Sequence, residues 1–156
     1  MRRSLETVLG GVPFLEGLSA ESLALLAGCA GNIRFAPGEM LFRESDPADT
    51  FYVVRHGSVA VEMFVPERGA VVIETVHAGE VLGWSWLFAP YRWHFDARAL
   101  SVVRATGFDG SCLRQKCEGD PALGYDLMGR FAQVLIERLQ WTRLRLLDVY
   151  GDGNRS

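Results

Sequence analysis

The chain has 156 residues, a net charge of −3 at neutral pH, and a composition that is 49% hydrophobic and 22% charged. These proportions are typical of a globular protein with one buried core, and the length favours a single domain. An acidic chain offers no positive field to a phosphate backbone, so we expect no direct DNA binding. No run approaches the roughly 18 apolar residues of a membrane-spanning helix. Without a signal-peptide pattern, a cytoplasmic protein with no membrane association is expected.

The first 30 residues are predicted to form short helices that pack on a larger body. A first segment carries three apolar residues on one face, Leu5, Val8 and Leu9. Ser19 is a predicted N-cap for a second helix, which has leucines at helical spacing and Gly28 near its end.

From about Ile33 to Asp109 the hydrophobic period becomes two, which predicts β-strands. The clearest strands are Phe51–Arg55, Ser58–Met63, Val71–Val76, Ala97–Leu100 and Val102–Ala105. The first two flank Gly57 and are predicted to form a hairpin with that glycine in the tight turn. Further turn signals occur at residues 36–38, 46–47, 66–69 and 77–79. Many short strands separated by turns are typical of a sandwich or barrel.

After Pro121 the hydrophobic period returns to that of a helix. One stripe follows a four-three spacing: Met128, Ala132, Leu135, Leu139, Thr142, Leu146 and Val149. A second stripe widens the apolar face: Leu127, Phe131 and Val134. Two stripes predict that the helix packs one side on its own domain and the other on a second copy, so we expect a homodimer. The alternative is a single wide face lying on the chain's own strands.

The reactive side chains do not form a recognisable catalytic or metal-binding motif. Cys29, Cys112 and Cys117 are an odd number of cysteines at spacings that match no disulfide framework or zinc site, so reduced thiols are expected. Cys112 and Cys117 leave open a redox pair. The three histidines are far apart in the sequence, and no nucleophile elbow, P-loop or dinucleotide fingerprint occurs. We therefore expect neither an enzyme nor a metal site.

Several motifs of the strand region follow one another in a characteristic order. The run Phe35–Glu44, followed by Asp46–Val54, precedes Gly57-Ser58-Val59 and then His77–Gly83. Together these motifs resemble the cyclic nucleotide-binding domains of the Crp/Fnr kind, and the resemblance extends from about Phe14 to Tyr150.

This resemblance implies a mainly β fold with flanking helices. The expected architecture is a double-stranded β-helix, or jelly roll, with an N-terminal helical bundle and a long C-terminal helix that makes the dimer contact. It divides the chain into N-terminal helices (1–30), the β-roll (31–112), a helical dimerisation region (113–150) and a flexible tail (151–156).

The family's phosphate-binding cassette explains which residues are candidates for ligand binding. In the family, a glycine allows close backbone approach, helix amides hold the cyclic phosphate, a glutamate binds the ribose and an arginine pairs with the phosphate. The corresponding run here is Leu82–Phe95, in which Trp84 replaces the glutamate and Trp93 replaces the arginine. The candidate residues are Gly83, Trp84, Ser85, Trp86, Arg92, Trp93, His94 and Arg98.

Several interpretations of this altered cassette remain open. Gly83 and the following amides are one candidate anion site, with Arg92, His94 or Arg98 supplying the charge if the loop is displaced by one residue. Alternatively, the indoles of Trp84 and Trp93 fill the pocket. The remaining interpretations are an aromatic site for a flatter ligand, or a surface cluster for a protein partner formed by Trp86, Phe88, Tyr91 and Trp93.

The predicted function is a stand-alone sensor or regulatory domain that binds a ligand or a protein partner. A cyclic nucleotide or another small anion is the expected ligand class, if one binds. The alternative is a component of a Crp/Fnr-type transcriptional regulator that binds cyclic AMP or a related nucleotide. Those regulators continue into a winged helix-turn-helix, whereas only Gly151–Ser156 follow Tyr150 here. The aromatic-rich loop also resembles chains associated with hydrogenases, which leaves an accessory role in a redox complex as a further alternative.

Overall fold

A computed structural model of the protein describes residues 11–83, 85–87 and 89–153. Eight β-strands lie in this part of the chain: β1 (Ala30–Phe35), β2 (Met40–Phe42), β3 (Thr50–His56), β4 (Val59–Val65), β5 (Gly69–Val76), β6 (Val81–Leu82), β7 (Asp96–Ala99) and β8 (Val103–Asp109). The α-helices are α1 (Ala20–Ala27), α2 (Gly110–Gly119) and α3 (Pro121–Gly153). Two short 3₁₀ turns are also present, Pro13–Leu15 and Ser85–Leu87.

The strands form two antiparallel sheets of four strands each, in the orders β1-β8-β3-β6 and β2-β7-β4-β5. Apart from the step between β4 and β5, each connection between successive strands crosses from one sheet to the other. The predicted fold class, a mainly β jelly roll with flanking helices, is confirmed.

The predicted hairpin around Gly57 is wrong. β3 pairs with β6 and β8, whereas β4 pairs with β5 and β7, so the two strands belong to different sheets. Gly57 has a φ of 88°, and a Cβ at this position would lie 2.2 Å from the carbonyl oxygen of Val102. The glycine therefore turns the chain between sheets, and the hairpin instead joins β4 to β5 through the turn predicted at 66–69.

Two clusters of buried side chains hold these layers together. The interior cluster lies between the two sheets and includes Phe35, Phe42, Tyr52, Trp93 and Phe95. The helix-side cluster lies between the β1-β8-β3-β6 sheet and the helices, and it includes Leu26, Phe51, Trp86, Phe108, Leu127 and Phe131. The β1-β8-β3-β6 sheet contributes to both clusters. The interior cluster buries apolar side chains on one of its faces, and the helix-side cluster buries those on the other.

The helix ends agree in part with the sequence predictions. Ser19 caps α1 by accepting a hydrogen bond from the Ser22 backbone N–H at 3.1 Å. The segment with Leu5, Val8 and Leu9 lies outside the described residues. α2 begins at Gly110, earlier than the predicted boundary, and α3 continues to Gly153, three residues into the predicted tail. No described helix is both long enough and apolar enough to cross a membrane.

The expectation of reduced thiols is wrong for two of the three cysteines. Cys29 and Cys112 form a disulfide that joins the end of α1 to the first turn of α2. Cys117 is a free thiol, so the pairing of Cys112 with Cys117 is excluded while this bond exists. Burial, with a contribution from Asp120, raises the pKa of Cys117.

Candidate functional site

The candidate ligand-binding segment, residues 83–95, connects β6 in one sheet to β7 in the other. We call this segment the cassette loop. It contains the 3₁₀ turn Ser85–Leu87, whereas Trp84 and Phe88 lie outside the described residues. The loop therefore carries the chain from one sheet to the other.

Residues 91–93 of the cassette loop form a short antiparallel pairing with residues 45–48. The Trp93 backbone accepts a hydrogen bond from the Ser45 N–H at 2.9 Å and donates one to the Asp46 carbonyl at 3.1 Å. The Ala48 N–H donates to the Tyr91 carbonyl at 2.7 Å. These bonds fix which side chains of the loop face the interior.

Trp93 occupies the roll interior directly beside Gly83. Its ring stacks on Phe42 with a centroid separation of 3.6 Å and an interplanar angle of 9°, and the residue is 4% exposed. Gly83 has a φ of 100°, and a Cβ there would lie 2.5 Å from Cη2 of Trp93. In this structure, the glycine therefore makes room for the protein's own indole. This placement favours the interpretation in which an indole fills the pocket.

Trp86 lies in the other buried cluster. It is 1% exposed and packs on Phe51 at 5.3 Å and on Phe131 at 5.5 Å between ring centroids. The neighbouring Ser85 is also buried, and within the described part of the chain neither its Oγ nor Trp86 Nε1 has a hydrogen-bond partner. The predicted surface cluster is therefore wrong for Trp86 and Trp93, both of which are buried.

The candidate cations point away from the interior cluster. Arg92 is exposed and donates from Nη1 to the Ser45 carbonyl at 3.1 Å. His94 is exposed between two inward-facing neighbours. Arg98 alternates along β7 with alanines of the interior cluster, and its Nε lies 2.9 Å from Oε1 of Glu62. The structure thus does not bring these three side chains to Gly83.

Arg114 of α2 is a structural contact of the cassette loop that sequence reasoning missed. Its Nη1 donates to the Trp86 carbonyl at 2.5 Å. Its guanidinium carbon lies 4.4 Å from the centroid of the Tyr91 ring, which is a cation–π geometry. Arg114 therefore links α2 to both halves of the loop. No sequence motif identifies it, because the contact joins residues from separate elements.

A cleft of about 440 Å³ lies outside the roll, between α3 and the loop that joins β5 to β6. Arg138 reaches into it from α3, with its Nε 2.9 Å from Oε1 of Glu74, and it also donates to the Val81 carbonyl. Burial raises the pKa of Glu74, although Arg138 opposes this effect. Burial also lowers the pKa of Arg138. The two charges are therefore paired with each other, away from the cassette loop.

Comparison with known proteins gives consistent matches. A model of the cyclic nucleotide-binding domain family matches residues 32–120. The CRP-like cAMP-activated global transcriptional regulator of Mycobacterium tuberculosis (strain CDC 1551 / Oshkosh) is 23% identical over 145 residues, which is 93% of this chain. This chain spans 63% of that regulator's length.

Solved structures show the same architecture. A protein from Geobacter metallireducens GS-15, assigned to the cyclic nucleotide-binding proteins, has a TM-score of 0.76 and 30% identity, with 88% of this chain and 99% of its own chain covered. The regulatory domain of Toxoplasma gondii PKA, solved with cAMP, has a TM-score of 0.67 and 19% identity, with 87% and 48% covered.

The matched residues contain nearly all of the structure that surrounds the cassette loop. They run from β1 through α2 and include both sheets. The order of the motifs, the jelly roll and the flanking helices all agree with this match. The chain belongs to the cyclic nucleotide-binding domain family.

Proposed function

We propose that this domain is a regulatory binding module whose roll interior is occupied by Trp93, and that it acts as a homodimer through α3. The observation that carries the first part is the stacking of Trp93 on Phe42 beside Gly83. The proposal assigns no catalytic step. The proposed location is the cytoplasm, because relatives of this chain include transcriptional regulators, which act on bacterial DNA.

Cyclic AMP is expected to bind weakly or not at all. Trp93 fills the space beside Gly83, and the described candidate cations face elsewhere. Loss of two charged hydrogen bonds, at about 1.5–3 kcal/mol each, lowers affinity by roughly two to four orders of magnitude. Isothermal titration calorimetry with cyclic AMP and cyclic GMP measures this affinity. A submicromolar dissociation constant for either nucleotide would contradict the proposal.

Variants of the cassette loop test whether restoring the family's anchor residues restores cyclic AMP binding. The double variant Trp84→Glu, Trp93→Arg replaces the indoles by the residue types of the family's ribose and phosphate anchors. Once circular dichroism shows that the variant is folded, it should bind cyclic AMP at least about tenfold more tightly than wild type. Arg92→Ala and His94→Ala are controls and should leave the weak wild-type titration unchanged. If either control abolished the weak binding, Arg92 or His94 would be the residue that pairs with the phosphate.

The two faces of α3 support the homodimer. Leu123, Leu127 and Phe131 are buried against the rest of the domain, whereas Met128 is 44% and Leu139 is 50% exposed. A long exposed apolar stripe on a helix is typical of a protein contact. The large apolar residues exposed on α3 are Tyr125, Met128, Ile136, Leu139, Trp141, Leu144 and Leu147. The side chains of Leu146 and Val149, predicted for the same stripe, lie outside the described residues.

Three arginines fix the orientation of α3. They donate to backbone carbonyls of the rest of the domain: Arg130 to Phe14, Arg138 to Val81 and Arg145 to Ile73. Successive arginines are eight and seven residues apart, about two helical turns, so they lie on the same side of the helix. Because the arginines hydrogen-bond that side of α3 to the rest of the domain, the side with Leu139 faces outward, where a second copy can contact it.

Direct DNA binding is not expected from these 156 residues. The net charge of −3 gives little attraction for phosphates, so nonspecific binding should be weaker than about 10⁻⁴ M at physiological salt. Fluorescence anisotropy with labelled duplexes, including the chain's own promoter region, measures this binding. A specific complex that weakens as salt is raised would contradict the expectation.

A further inference from the structure

The disulfide between Cys29 and Cys112 plays no part in the proposed function. It connects the residue after the C-cap of α1 to the first turn of α2, and the two Cα atoms are 5.6 Å apart. Cys29 is 7% exposed, whereas Cys112 is only half-buried. Cys112 is therefore the more accessible of the two cysteines.

Backbone contacts hold the two cysteines together independently of the bond. The Asp109 N–H donates to the Cys29 carbonyl at 2.8 Å, and the Asp109 carboxylate accepts from the Cys112 N–H at 2.9 Å. Because these contacts do not involve sulfur, the two thiols should remain neighbours after reduction. Such a pair can re-form its bond.

The helix that carries Cys112 packs against the cassette loop, since a Cβ at Gly110 would lie 3.1 Å from Cβ of Trp86. Cys112 precedes Arg114 by two residues in α2, and Arg114 contacts the Trp86 carbonyl and the Tyr91 ring. With the bond intact, the first turn of α2 is covalently tied to the end of α1. Its rupture removes the covalent restraint nearest to Arg114.

We propose that Cys29 and Cys112 form a reversible redox site for low-molecular-weight thiols and disulfides, and that its state controls the mobility of the cassette loop. In the reductive direction, the thiolate of reduced glutathione attacks the Cys112 sulfur. A mixed disulfide forms and Cys29 leaves as a thiolate, which takes up a proton. A second glutathione thiolate attacks the glutathione sulfur of that mixed disulfide, releasing oxidised glutathione and the Cys112 thiolate, which is also protonated. The oxidative direction reverses these steps.

The redox half of the proposal is tested on the full chain equilibrated with defined ratios of reduced to oxidised glutathione. The protein is quenched with acid, alkylated and analysed by peptide mass spectrometry. Alkylation of Cys29 and Cys112 should change together from absent to complete as the ratio rises. Cys117→Ser is the matched control and should give the same titration. A pair that stays reduced in oxidised glutathione alone, or oxidised in millimolar reduced glutathione, would overturn the reversible site.

The mobility half is tested by hydrogen exchange on the oxidised and reduced wild-type protein. Amides of residues 85–95 and 110–119 should exchange at least about tenfold faster after reduction, while β4 and β5 stay unchanged. The melting temperature should fall by about 10 °C, because the bond closes a long loop. In Cys112→Ser, the reductant should have no effect. Equal exchange in both wild-type states would overturn control of the loop. Neither test uses a nucleotide or measures dimerisation, so the outcome is independent of the proposed function.

Discussion

Replacing Leu139 by glutamate is expected to convert the proposed dimer into a monomer. Leu139 lies on the outward side of α3 and is 50% exposed in the single chain, so a partner helix would cover it. A two-fold contact contains the substitution twice. Burying unpaired carboxylates costs several kcal/mol, which raises the dimer dissociation constant by roughly three or more orders of magnitude. Sedimentation equilibrium at micromolar concentration should change from about twice 17.3 kDa to about 17.3 kDa.

The neighbouring Gln140 provides the matched control. It is exposed and lies outside the predicted four-three stripe, at its edge, so Gln140→Glu adds the same charge on the same helix and should weaken the proposed dimer far less than Leu139→Glu. An unchanged far-UV circular dichroism spectrum of Leu139→Glu would show that the monomer is folded. Wild-type protein that stays near 17.3 kDa would mean that the exposed stripe does not bind a second copy.

Replacing Trp93 by alanine is expected to lower the free energy of unfolding by about 3–5 kcal/mol. The indole is 4% exposed, stacks on Phe42 and contacts the backbone at Gly83, so its removal leaves a cavity in the interior cluster. Urea denaturation followed by circular dichroism measures the loss. Wild type and variant must be compared at equal protein concentration, because the proposed dimerisation would add to apparent stability.

Two further variants separate this effect from a general loss of aromatic surface. Phe64 is 67% exposed, and Phe64→Ala should cost less than about 1 kcal/mol. Gly83→Ala should be destabilising because its Cβ would overlap Trp93 and because φ is positive. In a double-mutant cycle, the Gly83→Ala cost should be smaller in the Trp93→Ala background, where the overlap is gone. A Trp93→Ala protein within 1 kcal/mol of wild type would contradict the filled interior.

Local structure was predictable from this sequence where the interacting residues are close in the chain. Ser19 and the helix it caps, and the turn between β4 and β5, depend on contacts within a few residues. The hairpin at Gly57 was predicted wrongly because a glycine between two alternating strands looks the same in a hairpin and in a corner between sheets. The partner of Phe51 is Phe108, which is far along the chain and leaves no local signal.

In the candidate site, too, contacts between residues far apart in the chain were not predictable. One interpretation of the sequence placed the Trp93 indole inside the pocket, but no interpretation predicted that Trp86 enters the helix-side cluster. These placements depend on the pairing with residues 45–48 and on Arg114, neither of which a local motif reveals. The disulfide joins cysteines 83 positions apart, so their spacing did not predict the bond.

The pairing of β1 with β8 also has a consequence for synthesis of the protein. Ala30 lies opposite Phe108 and Phe35 lies opposite Val103, so among the described strands the first strand of the roll pairs only with the last strand. At about 5–20 residues per second, the ribosome releases β1 several seconds before β8. Closing contacts of such long sequence separation is also slow. The nascent chain therefore carries β1 without its partner until nearly the whole roll has emerged, and an unpaired strand edge of this kind favours aggregation.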